Sequence, residues 1–221
     1  MSLVTLGGTT VLAMELHRPG VGRWFALVDL DGVDAPSGPV TIDIADGALK
    51  LVGFAERTGV FADRVRLRVE GGFGGLSKEI PARFYQNVPV RILFSDLLGA
   101  VGEKLSPKSD ADFLNTMLPK WTRSSGPAVN AISSLLWKFP GIGWRTDDSG
   151  DGTIWLGRET WPTITMDYDL IDEDPADRRI VIASEDPTLR PGVVLDGRKI
   201  SRVIARYEAA SVRTEAWLEV T

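Results

Sequence analysis

The run Arg64-Val65-Arg66-Leu67-Arg68-Val69 alternates basic and apolar residues with a period of two. Only a strand sends successive side chains to opposite faces, so one face of this segment suits a core and the other suits water or a partner. The same alternation recurs over Val11 to Arg18, Trp24 to Leu30, Thr41 to Ala45 and Ala48 to Glu56. Pro19-Gly20, Asp46-Gly47 and Thr58-Gly59 interrupt it with the residues that tight turns select. Asp46-Gly47 in particular suits a type I′ hairpin turn, and Thr58-Gly59 is expected to turn the chain into a strand from Val60 to Glu70. The N-terminal third therefore reads as a β-meander.

From Pro89 the period lengthens. Val90, Phe94, Leu97 and Val101 form a helical stripe that ends near Gly102. A second helix is expected from about Ser125 to Lys138, with Val129, Ile132, Leu136 and Phe139 on one face and Pro140-Gly141 stopping it. Gly143 to Arg145 and Thr153 to Leu156 then read as a hairpin. Strands follow over Ile164 to Leu170, Arg179 to Ala183, Val193 to Leu195, Ile200 to Tyr207 and Arg213 to Val220. The expected class is mainly β, of β-barrel or α+β type, with two β-barrel-like lobes and a small two-helix module between them. The corresponding division is residues 1–75, 76–162 and 163–221, the last completing a barrel.

Composition narrows the chemistry. The chain has 221 residues, 43% hydrophobic and 25% charged, enough for a sizeable core. It has no cysteine, which removes disulfides, thiol nucleophiles and thiolate-bound metals, and a single histidine, His17, which removes multi-histidine zinc sites within one chain. A net charge of −5 argues against non-specific nucleic-acid affinity, which needs a clustered basic surface, and no specific nucleic-acid binding is expected either. There is no apolar run of membrane-spanning length, and no signal-like start, so a cytoplasmic origin is expected.

The remaining candidates each carry a bland reading beside a functional one. The ridge of Arg64, Arg66 and Arg68 is a solvated strand face or a subunit interface. Gly71-Gly72-Phe73-Gly74-Gly75 lacks the lysine and hydroxyl residue of a phosphate loop, and reads as a flexible linker or a segment that orders on assembly. Asp147, Ser149, Asp151 and Gly152 open like a calcium loop, but Arg158 stands where the bidentate glutamate belongs, leaving a polar turn. Asp167, Asp169, Asp172, Glu173, Asp174 and Asp177 supply carboxylates for a glycosidase pair, or a solvated loop. Trp121, Trp137, Trp144, Trp155 and Trp161 stack on sugars or fill a core, with Trp137, Trp144 and Trp155 expected to pack together and Trp161 to be exposed. His17 has no serine motif beside it. No catalytic, cofactor-binding or metal residue is assigned.

One stretch is more particular. Ile80-Pro81-Ala82-Arg83-Phe84-Tyr85, Val88-Pro89-Val90, Asp96-Leu97-Leu98 and Gly102-Glu103 precede Trp121-Thr122-Arg123, a helix, Trp144-Arg145 and Asp151-Gly152-Thr153-Ile154-Trp155. Farther on come Arg190-Pro191-Gly192-Val193-Val194-Leu195-Asp196-Gly197, Val203-Ile204 and Thr214 to Trp217. This order, over residues 60–221, resembles the tail and baseplate hub proteins of tailed bacteriophages. The resemblance implies a structural virion protein without enzymatic activity or cofactor, assembled in the bacterial host cytoplasm. It further implies a homotrimer with two similar barrels per protomer, placing six barrels in a pseudo-sixfold ring between tail tube and spike around a channel for DNA. Its expected partners are the tail tube protein, the spike or tail-tip protein and the tape-measure protein. Arg64, Arg66, Arg68 and Phe73 are then the interface candidates. Two rivals remain: a carbohydrate-binding module at the tail tip using Trp161, and a peptidoglycan hydrolase using Glu159 or the acidic run.

Overall fold

Closure of the N-terminal meander depends on its shortest strand. The computed structural model describes residues 4–32, 36–61, 63–147, 150–158, 163–164, 168–183, 189–208 and 211–219, with the backbone alone at 57, 58 and 61. The first six strands are β1 (Val4–Leu6), β2 (Thr9–Pro19), β3 (Phe25–Asp31), β4 (Gly38–Ile44), β5 (Leu49–Phe61) and β6 (Arg64–Gly71). All neighbours are antiparallel, and β1 bonds both β2 and β4, which closes the circuit β1-β4-β5-β6-β3-β2 into a six-stranded barrel. Alternate residues point inward. Leu6, Leu16, Val28, Ile42, Leu51 and Leu67 are at most 1% exposed and fill the interior.

The meander's turns differ in two places from the sequence expectation. Residues 45–48 form a four-residue loop in which Ala45, Asp46 and Gly47 all take positive φ, instead of a two-residue turn. Gly59 does not turn the chain: the register shifts between Arg57 and Gly59, a bulge, and β5 runs on to Phe61.

The middle region contains β7 (Glu79–Ile80), β8 (Arg83–Pro89), α1 (Val90–Gly99), α2 (Ala111–Asn115), β9 (Met117–Arg123), β10 (Gly126–Pro127), α3 (Ala128–Leu136), β11 (Gly143–Thr146) and β12 (Ile154–Gly157). Helix α1 buries Val90, Phe94 and Leu97 of the expected stripe together with Leu93 and Leu98, while Val101, also buried, lies just past its end. Helix α3 starts later than Ser125, because Gly126 and Pro127 are extended and pair with Ile80 and Glu79. The short α2 is an addition to the two expected helices, and its start is capped by the Asp110 carboxylate, which accepts from the Asp112 and Phe113 amides.

The last strands are β13 (Thr163–Ile164), β14 (Asp169–Asp174), β15 (Arg179–Ala183), β16 (Val194–Leu195), β17 (Arg198–Glu208) and β18 (Ser211–Leu218). The acidic run is thus partly a strand, not a loop. β17 bonds β18 on one side and β2 on the other, pairing Arg202 to Glu208 with Pro19 to Ala13. One sheet therefore runs from the barrel through the C-terminal strands to β14. Three apolar cores result: the barrel interior with Ala205, Tyr207 and Val212, the middle region, and the C-terminal strands around Ile182 and Ile200.

Two phenylalanines ten residues apart separate core from surface. Phe94 has no exposed area and Phe84 is 58% exposed. In urea denaturation Phe94→Ala is expected to cost about 3–5 kcal/mol, and Phe84→Ala no more than about 0.5 kcal/mol.

Candidate functional site

The ridge arginines belong to a chain of paired charges across the sheet. Arg66 donates twice to the Asp29 carboxylate, at 2.7 Å each, which holds Asp29 below its usual pKa and raises that of Arg66. Arg68 reaches Glu70 at 2.9 Å and lies 4.3 Å above the Phe25 ring. That ring stacks on His17 at 4.2 Å, and His17 meets Glu15. Arg206 joins Glu15 (2.9 Å) to Glu215, and Arg179 joins Glu215 to Asp172, at 3.5 Å each. Arg64 is exposed. The chain of contacts crosses β6, β3, β2, β17, β18, β15 and β14, seven neighbouring strands of the twelve-stranded sheet, and so spans the seam between the barrel and the C-terminal strands.

Glu15, within this face, does not suit the role of a general acid. Burial opposes the ionisation of Glu15, but hydrogen bonds from Arg206 and His17 outweigh it and leave its pKa below the usual glutamate value. A general acid at neutral pH needs the opposite shift. In the acidic run, Asp172 pairs with Arg179 and Glu173 with Arg198, and Asp174 accepts from the amides of its own turn. Asp167 and Glu159 lie outside the described residues.

The glycine-rich loop is held, not slack. Glu103, buried to 4% exposure, accepts from the amides of Phe73 (3.1 Å) and Gly75 (2.7 Å). A Cβ on Gly72 would come within 2.9 Å of this carboxylate, and one on Gly75 would run into the Val101 carbonyl oxygen. Close approach therefore explains these glycines. Phe73 is half-buried, with the Lys104 ammonium 5.7 Å from its ring centre.

The residues that carry the family resemblance converge on a second anchor. Asp96 of α1 accepts from Arg83 and from the Tyr85 hydroxyl on β8. Arg123 on β9, 2% exposed, donates to the Pro81 carbonyl (3.1 Å), the Tyr85 hydroxyl (3.2 Å) and Asp96 (3.4 Å). Burial, then the Asp96 hydrogen bond, pushes the Tyr85 phenol up to about 12.

Asp147 is buried and accepts from Ser106 at 2.9 Å, while Asp151 accepts from the amide and hydroxyl of Thr153. Asp151 is thus committed to its own turn and Asp147 to Ser106, and Ser149 lies outside the described residues. Among the described residues no three His, Asp or Glu side chains converge as metal ligands.

The tryptophans do not form a single plug. Trp144 is buried and pairs across the hairpin with Leu156, whereas Trp155 pairs with Arg145, whose guanidinium lies 4.4 Å above its ring. The two rings occupy opposite faces, since pairs alternate along a ladder. Trp121 is buried against Tyr85. Trp137 is 89% exposed, because it caps the C-terminus of α3 off the apolar stripe. It borders a groove lined by Val21, Leu136, Phe139, Ile142 and Trp144. Trp161 lies outside the described residues.

Two outcomes are expected. Gly75→Ala sets a methyl group against backbone and is expected to destabilise by about 2–4 kcal/mol in urea. All three tyrosines are shifted upward, Tyr85 and Tyr207 by burial first and Tyr168 by its hydrogen bond to Asp196 first. Their protonated forms favour the fold below pH 10.0, the unshifted value, and that contribution is lost as pH rises through the folded-state values. Tyrosinate absorbance is therefore expected to appear at higher pH in the native chain than in urea.

No protein-family model matches the chain, and no curated protein matches it in sequence. Solved structures do match. A 43 kDa tail protein of prophage MuSo2 from Shewanella oneidensis superposes with a TM-score of 0.70 at 8% identity, over 98% of this chain and 96% of that one. An E. coli protein, described as a type VI secretion system component with structural similarity to T4 bacteriophage tail proteins, gives 0.69 at 14%, over 98% and 77%. A tail protein from Neisseria meningitidis gives 0.64 at 13%, over 99% and 96%. At such identities the likeness is one of fold: the chain has the fold of phage tail and baseplate proteins.

Proposed function

We propose that the chain is a structural tail or baseplate hub, a trimeric ring that connects the tail tube to the spike or tail tip and leaves a channel for DNA. The observation that carries this reading is the likeness to two tail proteins over nearly their whole lengths. The continuous sheet supports it, because it joins two β regions rigidly within one protomer. Three protomers then offer six β units to a six-fold tube and three copies of everything else to a three-fold spike. The protein is a symmetry adaptor in the virion, assembled in the host cytoplasm, and its work is binding, not catalysis.

In this reading residues 1–75 and 163–221 are the ring-forming units and 76–162 the module between them. Arg64, Arg66, Arg68 and Phe73 form an interface ridge, and the tail tube, spike and tape-measure proteins are the neighbours. The acidic balance of −5 suits a channel that lets phosphate pass without holding it. The sugar-binding rival gains nothing from Trp137, whose groove is apolar apart from Ser133 and so poor in groups for hydroxyls.

Light scattering over a range of concentrations, alone and with the tail tube protein, tests the reading. A trimer, or a monomer that becomes one in complex, is expected. A monomer indifferent to concentration and to tube protein would sink the proposal. Arg64→Gln is the cleaner probe of the ridge, since Arg66 and Arg68 form direct ion pairs with Asp29 and Glu70 whereas exposed Arg64 acts on Asp29 only through space. It is expected to weaken assembly at a cost of no more than about 0.5 kcal/mol in urea denaturation.

A further inference from the structure

Strand β14 is anomalous within its own protomer. Five of its six residues are exposed, none is buried, and it contributes nothing to the adjacent apolar core. Leu170 and Ile171 are 52% and 49% exposed, so apolar surface lies on both faces of the strand. Its backbone bonds only β15 among the described residues, which leaves one edge free. Its ion pairs are long, 3.5 Å from Asp172 to Arg179 and 3.4 Å from Glu173 to Arg198, and Asp169 has none among the described residues. Exposed pairs of this kind add little. A bare, apolar strand edge is a template for another chain unless it is covered.

A complementary surface exists on the same chain. β8 and β9 form a two-stranded ribbon on one face of which Tyr85 pairs with Trp121, both buried. The other face pairs Phe84 with Thr122 and Gln86 with Lys120, while the Pro89–Met117 pair at the ribbon's end falls on the Tyr85 side. Phe84 and Met117 are 58% and 57% exposed, and Ile92, just after the ribbon on α1, is 53% exposed. Arg91 and Lys120 are exposed and make no ion pair among the described residues. The ribbon is therefore apolar and basic where β14 is apolar and acidic. The lengths agree, six residues against seven, and among the described residues each has an edge that pairs with no further strand.

We propose that β14 of one protomer docks on the β8–β9 ribbon of a second copy, head to tail. Two different patches on each chain make a heterologous contact, which closes into a ring when the rotation between copies permits. Paired edges satisfy backbone groups, Leu170 and Ile171 meet Phe84 and Met117, and Asp169 faces Lys120 or Arg91. The proposal rests on the ring reading and supplies its protomer-to-protomer contact. The Trp137 groove is the weaker acceptor for an acidic strand, with Lys138 as the exposed cation next to it in sequence.

The absence of native cysteine makes the test direct. Leu170→Cys and Phe84→Cys chains are purified separately, then oxidised alone and mixed. Cross-linked dimer is expected from the mixture, at least about fivefold above either chain alone, because a head-to-tail contact never brings two identical positions together. Charge reversal is the second readout. Asp169→Lys alone and the pair Arg91→Glu with Lys120→Glu are each expected to raise the half-assembly concentration about tenfold or more, and all three together to restore it to within about threefold. Equal cross-linking by Leu170→Cys alone, or preferential cross-linking to Trp137→Cys, overturns the proposal. So do reversals that leave a wild-type ring intact, in which case the ring reading stands without this contact. A wild-type chain that stays monomeric alone and with tube protein overturns both.

Discussion

The pairing of β2 with β17 is the contact on which the arrangement depends. β2 closes the barrel through Thr9 and Thr10 at one end and carries the C-terminal strands along Ala13 to Pro19. Its seam is bridged by Arg206 and Glu15, which are 191 positions apart in sequence. Closing so long a connection costs only a logarithmic increment in chain entropy, although contacts of such large sequence separation go with slow folding. Among the described residues this seam supplies the strand pairing that joins the two β regions.

The middle region is fixed by polar anchors as well as by its core. Gly22 donates to the Trp144 carbonyl at 2.7 Å and accepts from the Thr146 amide at 3.3 Å, which ties the β11–β12 hairpin to the β2–β3 connection. Glu103 ties the loop after β6 to the turn after α1. Asp96 and Arg123 tie the ribbon to α1. Two of these anchors, Glu103 and Arg123, are buried charges met by several donors or acceptors, the arrangement under which a buried charge is tolerated, and removal of their partners would leave them uncompensated.

Much of the fold was legible because its signals are local. Alternation placed the strands of the meander, and the stripe of Val90, Phe94 and Leu97 placed α1. What was not legible depends on groups distant in sequence. Gly71 to Gly75 looked slack because the carboxylate that orders the loop lies about thirty positions downstream. Arg83, Tyr85, Asp96 and Arg123 were visible as pieces of a pattern, but their convergence needs the β8–β9 register. Trp137 read as core because hydrophobicity does not reveal that a ring at a helix C-cap has left the buried face. The acidic run read as a loop because its residues lack the alternation that a half-buried strand imposes, and β14 has no buried face to impose it.

The unbroken sheet also has a mechanical meaning. Seven consecutive residue pairs join β2 to β17, and they lie side by side along the strands. A force directed along those strands loads the pairs together, in shear, whereas a force across them opens the ladder one pair at a time. The join between the barrel and the C-terminal strands is therefore stiffer along the strands than across them, and a push along β2 is passed to β17 by all seven pairs at once.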